Sequence, residues 1–268
     1  MKFCMNEATT METDYRTDIE AYAKAGFDAV EIWLPKVDKF LETGSLKDAR
    51  SILDDNGIEA VGSCYYVGVM LPEDKAKALD GLKKRLDLAA ALGAPMIVVP
   101  TDFPASVKLE DYDRAVPNIR EAAEVARSYG VKLGIEFIRG AKFIGTLSTA
   151  NRIVRKVRHP YVGVLIDTFH FYCGLSQMPD LLATKGKDVL LVHINDCADK
   201  PRELAEDSDR VLLGKGTFPL VEMVRALEKI GFDGYYSLEL FDKSLWAQDP
   251  RAVAKKAYRN LQHFFATV

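Results

Sequence analysis

Cysteine, histidine and long apolar runs are all scarce in this sequence, and each scarcity removes a class of protein. There are 4 cysteines in 268 residues. Cys4, Cys64, Cys173 and Cys197 show no C-x-x-C or metal-finger spacing, and in a chain of this length they make no disulfide framework. That predicts a reducing, cytoplasmic setting. No stretch approaches the 18 or more apolar residues that a membrane span needs. The longest charge-free stretches, 60–72 and 88–101, are interrupted by Gly and Pro. The first residues pass straight into a strand-like Lys2-Phe-Cys-Met5 without the tripartite pattern of a signal peptide. An excess of one charge is missing too: 36 Lys and Arg face 39 Asp and Glu, a formal net charge of −3. Such a balance carries no bulk electrostatic signal for nucleic acid or an anionic membrane surface. No G-x-G-x-x-G follows the first strand-like run, which argues against dinucleotide binding. Low-complexity tracts are absent as well.

What is present is a globular composition, 48% hydrophobic and 28% charged, with ample material for a core. Short runs rich in Val, Ile and aromatics predict strands over 2–6, 29–33, 58–66, 95–100, 131–138, 162–167, 189–195 and 234–240. Helical spacing fills the intervals, over 14–25, 46–56, 73–92, 112–129, 149–157, 177–185 and 220–230, and a last helix runs over 251–265. Gly26, Gly57, Gly93, Gly130 and Gly231 stand where helices end in a left-handed residue. Eight β-then-α units imply a parallel sheet. Without a linker or composition shift they predict one closed (β/α)8 TIM barrel over residues 1–268, the usual product of about 250 residues. An open doubly wound sheet is the alternative.

Active sites of such barrels lie at the C-terminal ends of the strands. Strand five ends Lys132-Leu-Gly-Ile-Glu136, strand six Val162-Gly-Val-Leu-Ile-Asp167, strand seven contains His193, and strand eight runs to Glu239. A single strand-end acid reads equally as a rim salt bridge or helix cap, and a single strand His as a hydrogen-bonded core group. Four on neighbouring strands converge on one mouth, where three carboxylates repel without a cation between them. Three oxygen ligands and one imidazole suit one divalent ion: Mn²⁺, Mg²⁺, Co²⁺ or Zn²⁺.

The same four residues resemble the metal site of the xylose isomerase-like barrel superfamily of sugar isomerases and epimerases. Gly26-Phe-Asp-Ala-Val-Glu-Ile32 and Gly231-Phe-Asp-Gly-Tyr-Tyr-Ser-Leu-Glu239 are similar to its recurrent phrases. Within it, the chain more particularly resembles the bacterial branch that isomerises 2-keto-myo-inositol (inosose). That likeness rests on Met1-Lys-Phe-Cys-Met-Asn-Glu-Ala-Thr-Thr10, Asp167-Thr-Phe-His-Phe171 and His193-Ile-Asn-Asp196, with Asp209-Arg-Val-Leu-Leu-Gly-Lys-Gly216 and Ser237-Leu-Glu-Leu-Phe241. The loops 65–70 and 139–143 match no phrase specific to that branch.

The resemblance implies that Glu136, Asp167, His193 and Glu239 are metal ligands, and that Glu136 and Glu239 are also the catalytic pair. One carboxylate removes a proton beside a carbonyl and the other returns one, while the metal stabilises the enediolate. His170 then contacts a substrate hydroxyl or shuttles a proton; on spacing alone it reads equally as a solvated loop residue. Arg210 either steadies the enediolate or forms a surface salt bridge with Asp207 or Asp209. Gly214-Lys-Gly216-Thr-Phe-Pro219 reads as a turn with Thr217 as N-cap, or as a phosphate cradle. Glu31, Trp33, Asn6, Glu7, Tyr65 and Tyr66 read as pocket or packing residues.

The expected partner is a small polyhydroxy ketone, with no nucleic acid and no membrane; a homo-oligomer is left open. A dehydratase, of inosose or of 3-dehydroshikimate, and a ketose 3-epimerase share the first step and stay open on sequence. The superfamily's DNA-repair endonucleases need many more histidines than His159, His170, His193 and His263. A sugar-binding barrel without catalysis is the non-enzymatic alternative.

Overall fold

The computed structural model describes residues 1–268. The first half runs β1 (Lys2–Asn6), α1 (Tyr15–Ala25), β2 (Ala29–Trp33), α2 (Leu34–Phe40), α3 (Leu46–Asn56), β3 (Glu59–Cys64), α4 (Lys75–Leu92), β4 (Met96–Pro100) and α5 (Leu109–Ser128). The second half runs β5 (Lys132–Glu136), α6 (Leu147–Val157), β6 (Val162–Asp167), α7 (Thr168–Tyr172), α8 (Met178–Leu182), β7 (Val189–Ile194), β8 (Asp196–Cys197) and β9 (Arg210–Val211). It ends with α9 (Leu220–Lys229), β10 (Tyr235–Leu238), α10 (Lys243–Trp246) and α11 (Pro250–Phe265). Eight strands close a barrel in the order β1-β10-β7-β6-β5-β4-β3-β2. β8 and β9 form a separate antiparallel ribbon.

Strand parity decides what each side chain does. Successive residues of a strand point to opposite faces, and in this barrel one face meets the helices. Val30, Ile32, Ile97, Val99, Leu133, Ile135, Val164, Ile166, Val192, Ile194, Tyr236 and Leu238 all belong to the main hydrophobic core, with the buried faces of the helices. Residues of the other parity fill the barrel interior. Met96, Val98, Leu165, Leu191 and Cys64 pack together as one small interior cluster, and Cys4, Ala29 and Val61 as another, Val61 standing at the bulge where β3 shifts register against β2. One step further toward the C-terminal mouth, the same parity delivers Asn6, Glu31, Glu136, Asp167, His193, Ser237 and Glu239. The apolar plug therefore forms the floor of a polar site.

Local chemistry places the helices. α3 begins with a reciprocal capping box between Ser45 and Asp48, which satisfies otherwise unpaired helix N–H groups. α1 ends at Gly26, whose φ of +108° is open to glycine at little cost. No helix is long and apolar enough to cross a membrane.

The structure departs from the sequence reading at several points. β3 stops at Cys64, so Tyr65 and Tyr66 lie in the loop beyond it. The helix expected over 177–185 shrinks to Met178–Leu182. Helices α2, α7 and α10, of 7, 5 and 4 residues, are too short to show a helical period. Thr217 is not an N-cap: α9 starts at Leu220, Pro219 holds the cap position, and the Thr217 N–H donates to the Cys197 carbonyl at 3.0 Å.

Candidate metal centre

β5, β6, β7 and the residue after β10 bring Glu136, Asp167, His193 and Glu239 to one point. All four are buried, none more than 5% exposed. His193 stands at the centre. Its Nδ1 lies 3.2 Å from a Glu239 oxygen, 3.4 Å from Glu136 and 3.8 Å from Asp167. That nitrogen is buried and makes no hydrogen bond. Its other ring nitrogen, Nε2, lies 3.0 Å from Glu31 Oε1. With Nε2 donating to Glu31 and a cation in place of the second ring proton that the carboxylates favour, Nδ1 would turn its lone pair to that cation. An orphaned imidazole nitrogen among carboxylate oxygens is a donor set for a divalent cation, and the residues fit one. Asp167, His193 and Glu239 present ligand atoms all within 4.8 Å of one another, and so do Glu136, Asp167 and His170. The second group brings His170 to the edge of the cluster.

The two oxygens of Asp167 have different tasks. Oδ1 accepts from the Phe169 N–H at 2.6 Å and the His170 N–H at 3.3 Å, capping α7. Oδ2 accepts from Arg210 Nη1 at 2.6 Å. This cap explains why a strand ending in Asp167 turns at once into a short helix. It also corrects the reading of His170 as a solvated loop residue, since His170 is 6% exposed and sits within α7.

Arg210 overturns the surface reading more sharply. It is 1% exposed. It does pair with Asp207, at 2.8 Å, but its Nη1 reaches inward to Asp167 and, at 2.9 Å, to Glu239 Oε2. Its Nη2 lies 3.4 Å from His170 Nε2. The rings of Phe169 and Phe241 flank the guanidinium at 4.7 and 5.2 Å. The phosphate-cradle reading of residues 214–219 is also corrected: the Gly214 and Gly216 N–H groups are spent on the Asp196 carboxylate.

Electrostatics follow from crowding and burial. Burial pushes the Glu136 carboxyl up to about 7, against the pull of His193. Burial works against a charged His193 ring, yet Glu239 and Glu31 outweigh it and hold the ring's proton affinity well above the ordinary value. Burial lowers His170 to about 4, so this imidazole is neutral at neutral pH. Burial also disfavours the Asp167 carboxylate, but the Arg210 guanidinium wins and holds it well below the usual range.

Two residues read ambiguously from sequence have clear positions. Glu31 is fully buried; its Oε2 accepts from Ser237 Oγ at 2.6 Å and Asn6 Nδ2 at 2.9 Å. Asn6 Nδ2 also donates to Glu239 Oε1 at 3.2 Å. Glu31 therefore orients His193 while being held itself, and Ser237 was missed entirely. The signal that could have found all three is the shared inward parity of Asn6, Glu31 and Ser237. A carboxylate behind a metal-binding imidazole typically changes affinity by about 10- to 100-fold. Glu31→Gln should lower Zn²⁺ affinity by that order in titration calorimetry, and wild-type affinity in the variant would remove Glu31 from the site. Beyond β3 and β4, Tyr65, Tyr66, Asp102 and Phe103 wall a groove of about 690 Å³ whose lining includes none of the four cluster residues, with the Arg85 guanidinium 3.9 Å above the Tyr65 ring.

Comparison with known proteins gives the chain its family. Residues 19–264 match the family described as xylose isomerase-like TIM barrel. Inosose isomerase of Bacillus subtilis is 30% identical over 266 residues, covering 96% of each chain. Inosose isomerase of Bacillus velezensis is 30% identical over 90% of this chain and 89% of its own. A crystal structure of the IolI protein with a bound zinc atom superposes with a TM-score of 0.93 at 26% identity, covering 100% of this chain and 99% of the other. The chain belongs to the xylose isomerase-like TIM barrel family.

Proposed function

We propose that this protein is a divalent-metal-dependent isomerase of polyhydroxy ketones, and that its substrate is 2-keto-myo-inositol. The observation that carries the reading is the His193 Nδ1, buried, unpaired and facing Glu136, Asp167 and Glu239. Similarity to the inosose isomerases supports the choice of substrate. Glu136, Asp167, His193 and Glu239 would hold one ion of the Mn²⁺, Mg²⁺, Co²⁺ or Zn²⁺ class. When bound, it supplies positive charge that balances the carboxylates and the negative charge developing on substrate oxygens.

Moving a carbonyl to the neighbouring carbon shifts one proton between carbons and one between oxygens. One C–H proton leaves the carbon beside the carbonyl and another is delivered to the former carbonyl carbon; one hydroxyl proton passes between the two oxygens. Glu136 and Glu239 suit the carbon transfers because they enter from β5 and the end of β10, with β6 and β7 between them in the wall. Neutral His170, 3.4 Å from Arg210, suits the oxygen-to-oxygen transfer. Arg210 offers its guanidinium to the developing oxyanion.

The test is incubation of Zn²⁺- and Mn²⁺-loaded protein with 2-keto-myo-inositol in D₂O, followed by a ketose panel, with products read by mass spectrometry and proton NMR after metal removal. The expected product is an isomeric inosose carrying deuterium beside the carbonyl. Loss of water would replace the reading with a dehydratase, and a C3-inverted product from a ketose with a 3-epimerase. Absence of exchange with every substrate would overturn it.

A further inference from the structure

Asp196 lies three residues beyond His193 and is 1% exposed, yet its carboxylate does not face the cluster's imidazole. It is wrapped by its own chain. Oδ1 accepts from the Cys197 and Phe218 N–H groups, each at 2.9 Å. Oδ2 accepts from the Gly214 and Gly216 N–H groups, each at 3.0 Å. Four backbone donors on two oxygens is a full complement, and hydrogen bonds to an ionised acceptor are among the stronger ones. The donors come from both ends of the segment 197–218, so the carboxylate ties the ends of that segment together.

What the tie holds is Arg210. The ribbon pairs Asp196 with Val211 and Cys197 with Arg210, and Ala198 N donates to the Asp209 carbonyl at 3.0 Å. The Arg210 backbone is therefore fixed against the residue next to the anchored carboxylate. From there its side chain reaches Asp167 and Glu239. Gly216 fits the same arrangement. A Cβ there would stand 2.0 Å from the Cys197 carbonyl oxygen and 2.5 Å from Asp196 Oδ1, so a side chain would force the tie apart.

We propose that Asp196 is a positioning residue for Arg210: an internal anion that closes the segment 197–218 and thereby sets the guanidinium on Asp167 and Glu239. The kinetic part of this proposal rests on the isomerase reading; the positional part does not. Asn is nearly isosteric with Asp but turns an NH₂ toward two backbone donors, so Asp196→Asn keeps the volume and breaks half of the tie.

The experiment compares wild type, Asp196→Asn, Arg210→Ala and the double variant, after circular dichroism confirms the barrel. Amide exchange at Gly214, Gly216 and Phe218 should quicken about tenfold to a hundredfold in Asp196→Asn, the loss expected for hydrogen bonds to a charged group. The Arg210 guanidinium protons, assigned by difference from the Arg210→Ala spectrum, should exchange slowly in wild type and rapidly in Asp196→Asn. In turnover, Asp196→Asn should fall close to Arg210→Ala, and the double variant should fall no further, because coupled residues are not additive.

Retention of slow guanidinium exchange in Asp196→Asn, or losses that multiply in the double variant, would overturn the proposal. If Asp196→Asn does not fold, Gly216→Ala takes its place with the same expected pattern. If no substrate turns over, the guanidinium exchange alone decides the positional claim, and the failure falls on the isomerase reading.

Discussion

Glu136→Gln and Glu239→Gln should each lower kcat on 2-keto-myo-inositol by a factor on the order of 10³, within the usual contribution of a positioned proton-transfer group. Gln preserves the shape of the side chain and one oxygen donor, so the chemistry is tested with little repacking. Both carboxylates lie within 3.4 Å of His193 Nδ1, and removing either charge also changes the balance that a cation must satisfy. Metal affinity must therefore be measured beside turnover. The expected pattern is a deep loss of kcat at saturating metal together with a smaller change in metal affinity. Near wild-type turnover in both variants would end the two-carboxylate scheme. Loss of metal alone, with turnover restored at high metal concentration, would leave both residues as ligands without a proton-transfer role.

The second large effect lies behind the site, in its scaffold. Lys36, on α2, is 7% exposed. Its ammonium donates to the Glu7 carbonyl at 2.9 Å, the Thr10 carbonyl at 2.8 Å and the Asp18 carboxylate. Asp18 is fully buried and also accepts from Thr10 Oγ1 at 2.8 Å. Removing one partner of a buried ion pair strands the other charge and typically costs about 3–5 kcal/mol. Net stabilities are only about 5–15 kcal/mol, so Lys36→Met should shift the urea midpoint strongly. Lys36→Met combined with Asp18→Leu removes both charges and should recover much of that loss, because replacing a buried pair by apolar groups is often neutral. A single variant as stable as wild type would mean that water reaches the pair. The segment so held carries Glu7, whose Oε2 accepts from the Trp33 N–H at 2.7 Å, and it follows directly on Asn6.

Much of this was legible before the structure. Regular alternation of apolar runs and helical spacing makes a barrel, and the helix end at Gly26 was legible because a left-handed residue restricts the choice of side chain. Asp167 and His193 stood out because an ionisable residue at the end of an apolar strand has few places to go. The remainder was hidden for physical reasons. Glu31 meets His193 across the interior from a strand three places away in the wall, and no local pattern states which residues face each other across a closed sheet. Arg210 looks like a surface residue because its neighbours Asp207 and Asp209 are charged; its burial depends on a tie made by Asp196 from the other end of the loop. Lys36 sits in a seven-residue helix with no readable period, so nothing in its surroundings announces three buried acceptors.

The closure of the barrel has a consequence for how the protein is made. β1 pairs with β10, Lys2 beside Tyr235, and Asn6 donates across that seam to Glu239, 233 residues later in the chain. Glu31 is bound by Ser237 across 206 residues and by His193 across 162. The site can therefore not be completed while the ribosome is still short of the last strand. Until then β1 and β7 present unpaired edges, the surfaces on which chains stick to one another, and contacts this distant in sequence form slowly. A nascent chain arrested before residue 235 would hold most of the carboxylates but neither Glu239 nor the Ser237 bond to Glu31, so the full cluster waits on the last strand.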